Sequence, residues 1–305
     1  MPNVTLQSIA DRVGVSRMTV SNAFSRPDQL SPELRQRILA AADELGYAGP
    51  DPAARSLARG TTGAVGVLWS DNLRTSFSDE VSAGFLGAVA DELAPTGLAL
   101  TLLVSGARDD VVPARDVAMD GALAYSCDPQ SPALGWLRRR KLPLVYVDLP
   151  SPGDASSVTM DDEGGARKAA EHVLSLGHRR VGIITVGLGP LVRVVDRRQA
   201  SATSGAGAYV AAQRLAGWSE ALLAAGVEPV IIAQPSLQAD ARPAARALLQ
   251  IEPRPTAVLC FSDTIARDVV TQSHDLGLSV PDDVSVAGFD DAPFAARLRP
   301  ALTTV

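Results

Sequence analysis

Cysteine is nearly absent from this 305-residue chain: Cys127 and Cys260 stand far apart and have no nearby histidine partner. Neither a disulfide framework nor a zinc site is indicated. Histidine is as scarce, with only His172, His178 and His274. His172 falls in a helical segment, His178 in a turn and His274 near a helix end, so each reads as structural or solvated rather than as a base. No glycine-rich phosphate loop opens the first strand–helix unit, because Gly63 and Gly66 are isolated and no Gly-Lys-Ser/Thr follows. Gly-x-Ser-x-Gly is missing too, which leaves a hydrolase no nucleophile elbow. These absences predict a chain that is not an enzyme and needs no cofactor or metal.

No apolar run approaches the length of about 18 residues that a membrane span needs. Asn3, Thr5, Gln7 and Ser8 interrupt any apolar core that a secretory leader would require. A soluble, cytoplasmic protein with no membrane partner is the expectation. Positive charge is also short overall, with a net charge of −6. Its distribution is uneven. Residues 1–60 carry seven arginines against six acids, one positive charge in surplus, and the remaining 21 basic and 28 acidic residues leave seven negative charges on 61–305. A weakly basic head on an acidic body limits non-specific contact between the body and nucleic acid. One head alone should bind weakly, so two copies are expected.

What is present starts at the N-terminus. Leu6, Ile9, Ala10 and Val13 fit one face of a helix that Gly14 stops. Ser16 can cap a second helix that turns Val20, Ala23 and Phe24 inward. Two short helices joined by such a turn make a helix-turn-helix, whose second helix enters the major groove, so double-stranded DNA is the predicted ligand. Ser31-Pro32-Glu33 starts a third helix that runs through Leu34, Ile38, Leu39, Ala42 and Leu45 to Gly46. The breakers Gly49-Pro50-Asp51-Pro52 then lead into Ala53–Arg59 and Gly60-Thr61-Thr62-Gly63. The expected division is a helical head over 1–48, a conditionally folded hinge over 49–63 that includes a hinge helix, and a larger body over 64–305.

In that body, apolar strand-like runs at 64–69, 98–104, 121–124, 143–148, 180–186, 227–233, 256–261 and 284–289 alternate with amphipathic segments. The latter lie near 78–94, 131–141, 163–177, 207–225, 239–251 and 263–277. This alternation predicts parallel sheets covered by helices, in two lobes with a cleft at the carboxyl ends of the strands. The Gly-, Arg- and Ser-rich stretch 187–208 is too long for an ordinary connection and reads as one irregular flap.

Several stretches resemble the LacI/GalR family of bacterial transcription regulators. They are Val4 to Ser21, Ala54-Arg55-Ser56-Leu57, Leu176 to Gly182, Arg214-Leu215-Ala216-Gly217-Trp218, Asp282 to Asp291 and Pro300-Ala301-Leu302-Thr303-Thr304. They follow the family's order over nearly the whole chain, and it is their combination that is specific. The resemblance implies an all-α helix-turn-helix head, a hinge helix and an α/β two-lobed core like periplasmic sugar-binding proteins. It also implies a homodimer on a palindromic operator, usually a repressor, switched allosterically by a small metabolite, most often a sugar. A sugar-binding module without competent DNA binding is the alternative. The family normally continues for a few dozen residues past the position of Val305, and its usual spacing is exceeded around 187–208.

The resemblance puts Arg17, Met18 and Asn22 at base-reading positions. Arginine suits guanine, asparagine suits adenine, and Met18 offers apolar contact. Thr5, Ser16, Thr19, Ser21 and Ser25 are short donors suited to phosphates, although Thr5 and Ser16 also read simply as helix caps. Leu57 matches the apolar wedge that enters the minor groove at the operator centre, against the alternative of a leucine buried on the core. Arg55 and Arg59 suit phosphates or the narrow groove. In the core, Asp148, Arg214 and Asp290 match effector-binding positions; an interlobe salt bridge is the plainer reading of the last two. Asp71 and Phe77, with Trp69, follow the first strand and suit a polar contact and a stacking wall, against plain core packing for the aromatics. Ser262, Asp263 and Phe289 are weaker candidates on the same rim.

Overall fold

The computed structural model describes residues 4–69, 77, 79–104, 112–187, 193–195, 207–236 and 239–305. The chain divides into two compact units, Met1–Gly63 and Ala64–Val305. The first contains α1 (Leu6–Val13), α2 (Arg17–Ser25), α3 (Pro32–Glu44) and α4 (Pro52–Arg59). Each start is set by a side-chain cap. Thr5, Ser16, Ser31 and Asp51 accept from the backbone N–H of Ser8, Thr19, Leu34 and Ala53. Ile9, Ala10, Val20, Ala23, Ile38, Ala41 and Ala42 form its core, with Phe24 set edge-on to Tyr47.

The second unit has two lobes. In the first, β1 (Ala64–Trp69), α5 (Glu80–Leu93), β2 (Ala99–Val104), α6 (Pro113–Asp116), β3 (Gly121–Tyr125), α7 (Pro132–Arg140), β4 (Leu144–Val147) and β5 (Ser157–Val158) build a parallel sheet. Its strand order is β2-β1-β3-β4-β5. Residues alternate across β1, so Leu68 packs with Leu103, Ala122 and Leu134 on one face, while Val67 and Trp69 meet Leu86 on the other. The second lobe contains α8 (Asp162–Ser175), β6 (Val181–Val186), β7 (Arg193–Val195), α9 (Ala208–Ala224), β8 (Val230–Gln234), α10 (Arg242–Leu249), β9 (Ala257–Cys260), α11 (Asp263–Asp275) and β10 (Ser285–Ala287). Here the order is β10-β9-β6-β8-β7 around a core that includes Ile183, Ile184, Trp218, Ile231, Ile232, Val258 and Leu259.

Three short elements were not expected: α6, β5 and β7. The stretch 187–208 is not one irregular connection, because Arg193–Val195 pairs antiparallel with β8. A three-residue strand is too short to raise a periodic signal against its polar surroundings. Asp71, the candidate polar contact after β1, lies outside the described residues, as do 188–192 and 196–206. Among the described residues no helix is long and apolar enough to cross a membrane.

Candidate effector cleft and DNA-reading face

Four non-glycine residues with left-handed backbone sit just past the carboxyl ends of strands: Ser126 after β3, Asp148 after β4, and Asp290 and Asp291 after β10. Such conformations are uncommon outside glycine and gather at functional sites. The carboxyl ends of the strands are also where open α/β sheets bind ligands. Ser126 joins the lobes directly, its carbonyl accepting from Gly207 N–H at the start of α9.

Arg214 organises the second-lobe side of this region. It is almost fully buried in α9, where Nε donates to Asp162 Oδ1 at 2.8 Å and Nη1 reaches Asp290 Oδ1 at 3.1 Å. Nη1 also donates to the Phe261 carbonyl, and the Phe289 ring lies 3.6 Å from the guanidinium carbon. The reach to Asp162 depends on Gly217, one turn along α9. A Cβ there would collide with the Glu163 carbonyl of α8, so only glycine lets the two helices approach this closely. Gly288 plays the same part before Phe289 and Asp290, since a Cβ would strike the Asp263 carboxylate. Arg214 and Asp290 therefore do form an ion pair, but within one lobe rather than across the two.

On the first-lobe side, Tyr125 is stacked between Trp69 and Phe85, each at a ring distance of 4.4 Å. Trp69 is buried in this stack, whereas Phe77 is 61% exposed. Ser262 caps α11 with its hydroxyl. Asp263 accepts from the backbone of Ala292 and from the Thr304 hydroxyl, which holds the loop after β10 in place. Asp162, Tyr125 and Phe261 were missed in the sequence. Asp162 reads as an ordinary first-turn acid, and the other two as strand ends.

The electrostatics tie the lobes together. Burial, opposed by Arg214 and reinforced by Asp263 and Asp79, pushes the Asp290 carboxyl up to about 7. Burial and then Asp162 raise Asp148, with Arg214 opposing. Tyr125 is raised by burial and by the charges of Asp148, Asp79 and Asp290, so its phenol stays protonated. A raised carboxyl binds more protons folded than unfolded, so its contribution to stability is full below about pH 4 and is lost as pH rises through about 7. Urea denaturation at pH 4.5 and pH 8 should show Asp290→Asn removing much of that fall, leaving the part due to Asp148 and Asp263, which shift the same way. An unchanged difference between the two pH values in the variant would dismiss Asp290 as its source.

A separate cavity of about 180 Å³ lies between α8, α11 and β10, lined by Val173, Leu176, Val270 and Val286 with His172. It lacks the carboxylates and the arginine of the cleft.

In the head, the start of α2 faces outward. Arg17 is exposed and Met18 is 69% exposed, while Asn22 is half-buried with its amide nitrogen donating to Gln29 at 3.2 Å. Thr5 and Ser16 serve as caps, Ser16 Oγ lies 2.8 Å from Thr19 Oγ1, and Ser25 donates to the Ser21 carbonyl. In α4 Leu57 is 87% exposed, and Arg55 and Arg59 are exposed beside it.

The sequence profile of the bacterial regulatory proteins of the lacI family matches residues 5–49, and a periplasmic binding protein-like domain matches 170–305. The HTH-type transcriptional regulator Rv3575c of Mycobacterium tuberculosis is 40% identical, over 99% of this chain and 86% of that protein. The chain belongs to the LacI family. A solved LacI-family regulator from Corynebacterium glutamicum is similar with a TM-score of 0.69 and 32% identity, covering 100% of this chain and 88% of that one. The structure of the regulator CelR with cellobiose gives 0.66 and 27%, over 99% and 87%. As a LacI-family transcriptional regulator, the chain joins a DNA-binding helix-turn-helix head to an effector-binding, two-lobed core.

Proposed function

We propose that this regulator is a cytoplasmic repressor that binds a palindromic operator as a homodimer and is switched by a small polyhydroxy metabolite of the sugar class. The observation that carries the DNA half is the outward presentation of Arg17 and Met18 at the start of α2 together with the exposed Leu57 of α4. Arg17 donates to guanine O6 and N7, worth roughly 1–3 kcal/mol of discrimination, and Met18 meets an apolar base edge. Asn22 reads through the atoms that Gln29 leaves free. Thr5, Ser16, Thr19, Ser21 and Ser25 set the head on the phosphates, and Arg55 and Arg59 flank the Leu57 wedge.

Asp148, Arg214, Asp290 and Phe289 form the core of the effector site, with Ser262 and Phe77 at its rim; Asp71, outside the described residues, keeps only its sequence reading as a polar contact. Cellobiose in the CelR structure supports a sugar. Effector binding changes the approach of the lobes and with it the spacing of two hinge helices, a coupling typically of 1–3 kcal/mol. Anisotropy of the full chain on palindromic duplexes from upstream of its own gene tests the reading. Tight binding to one palindrome and weak binding to either half-site is the expected result; equal, weak and steeply salt-dependent binding to every duplex would refute it.

The second copy has a suitable face. Val81, Ala83, Gly84, Gly87, Ala88 and Ala90 of α5 are exposed, and β2 is an edge strand. A side chain added at Gly87 meets nothing within 4 Å. Gly87→Arg should therefore leave the fold intact, convert dimer to monomer in light scattering, and lower operator affinity. A dimer of unchanged stability in that variant would rule this face out.

A further inference from the structure

We infer that the cleft takes polyhydroxy ligands carrying no negative charge and rejects their phosphorylated and carboxylated counterparts. This deepens the effector reading above and rests on it. Asp148 and Asp290, from opposite lobes, converge here with Asp162, and Asp79 acts on the same region. Among the described residues, the cation that opposes both Asp148 and Asp290 is Arg214, and it is already committed. Its Nε and Nη1 are held by Asp162, Asp290 and the Phe261 carbonyl, and Phe289 lies against its face. Among the described residues only Nη2 is left to offer a ligand.

Acceptors are in surplus instead. Among the described residues, the half-buried Asp148 carboxylate receives no hydrogen bond and Asp290 is engaged through Oδ1 alone. Hydroxyls meet that surplus, since each donates a proton and brings no charge. A phosphate or carboxylate offers only acceptors and adds negative charge beside carboxylates in a partly buried site. The phenol of Tyr125, kept protonated, can serve a ligand oxygen.

Calorimetry of the full chain at pH 8 tests this with matched pairs: glucose and glucose 6-phosphate, ribose and ribose 5-phosphate, glycerol and glycerol 3-phosphate, glucose and glucuronate, with cellobiose added. Binding confined to uncharged members is expected, with each anionic partner weaker by about 100-fold or more. The discrimination should shrink at pH 5.5, and in Asp148→Asn/Asp290→Asn at pH 8. An anionic member that binds as tightly as its neutral partner overturns the inference, and so does silence across the panel. Operator anisotropy without ligand, run in parallel, separates the outcomes. Intact operator binding beside an anionic hit sinks the ligand class alone, whereas loss of both sinks the regulator reading.

Discussion

Replacing Arg214 by methionine should destabilise the core by about 3–5 kcal/mol at pH 8, the range seen when one partner of a buried ion pair is removed. Methionine keeps much of the apolar volume against Phe289 and Phe261, so the loss isolates the charge. What remains in the variant is Asp162, 2% exposed, and Asp290, both stripped of the guanidinium they share. At pH 5 the loss should be smaller, because Asp290 is neutral there even in the wild type. The three tryptophans, Trp69, Trp136 and Trp218, all lie in the core, so their fluorescence during urea unfolding reports this unit. Arg214→Met combined with Asp162→Asn and Asp290→Asn should recover a large part of the loss, since no buried charge is then left unpaired. A single-variant loss below about 1 kcal/mol would mean that the guanidinium is not the organising charge.

Much of this arrangement is legible in the sequence because it is local. Thr5, Ser16 and Ser31-Pro32 announce helix starts that the structure has, and Gly14 and Gly60 end α1 and α4 in left-handed backbone. β6, Val181–Val186, is an apolar run buried on both faces, so it reads without periodicity. What stays hidden depends on contacts between distant segments. Asp162 lies 52 residues from Arg214, and nothing in its own neighbourhood separates it from the acids that favour any helix start. The motif around Gly217 is visible as a resemblance, but its reason, the approach of α8 to α9, exists only in the fold. The left-handed backbone of Asp148 and Asp290 is equally unreadable, since aspartate adopts many other conformations. β7 stays hidden for the same reason: its pairing with β8 comes from the neighbour, not from a pattern of its own.

Leu57→Ala should weaken operator binding by about 100-fold, or roughly 2–3 kcal/mol, while leaving the protein folded. The argument begins with the helix. Asp51 caps α4 and Gly60 ends it, and alanine is the better helix former, so the substitution does not melt the segment. Leu57 is 87% exposed between Arg55 and Arg59, so truncation opens no cavity in the protein. Any large effect must then arise on DNA. A leucine driven between base steps unstacks them and bends the duplex, and the bend brings more protein surface onto the backbone. Alanine is too short to hold the step open. The salt dependence separates this role from phosphate contact: Leu57→Ala should leave the slope of log affinity against log salt unchanged, whereas Arg59→Ala should reduce it by about one. Fluorescence energy transfer across a doubly labelled operator should also report a straighter duplex in the Leu57→Ala complex. If that variant keeps wild-type affinity and an equally bent operator, α4 binds through its arginines and the wedge is wrong.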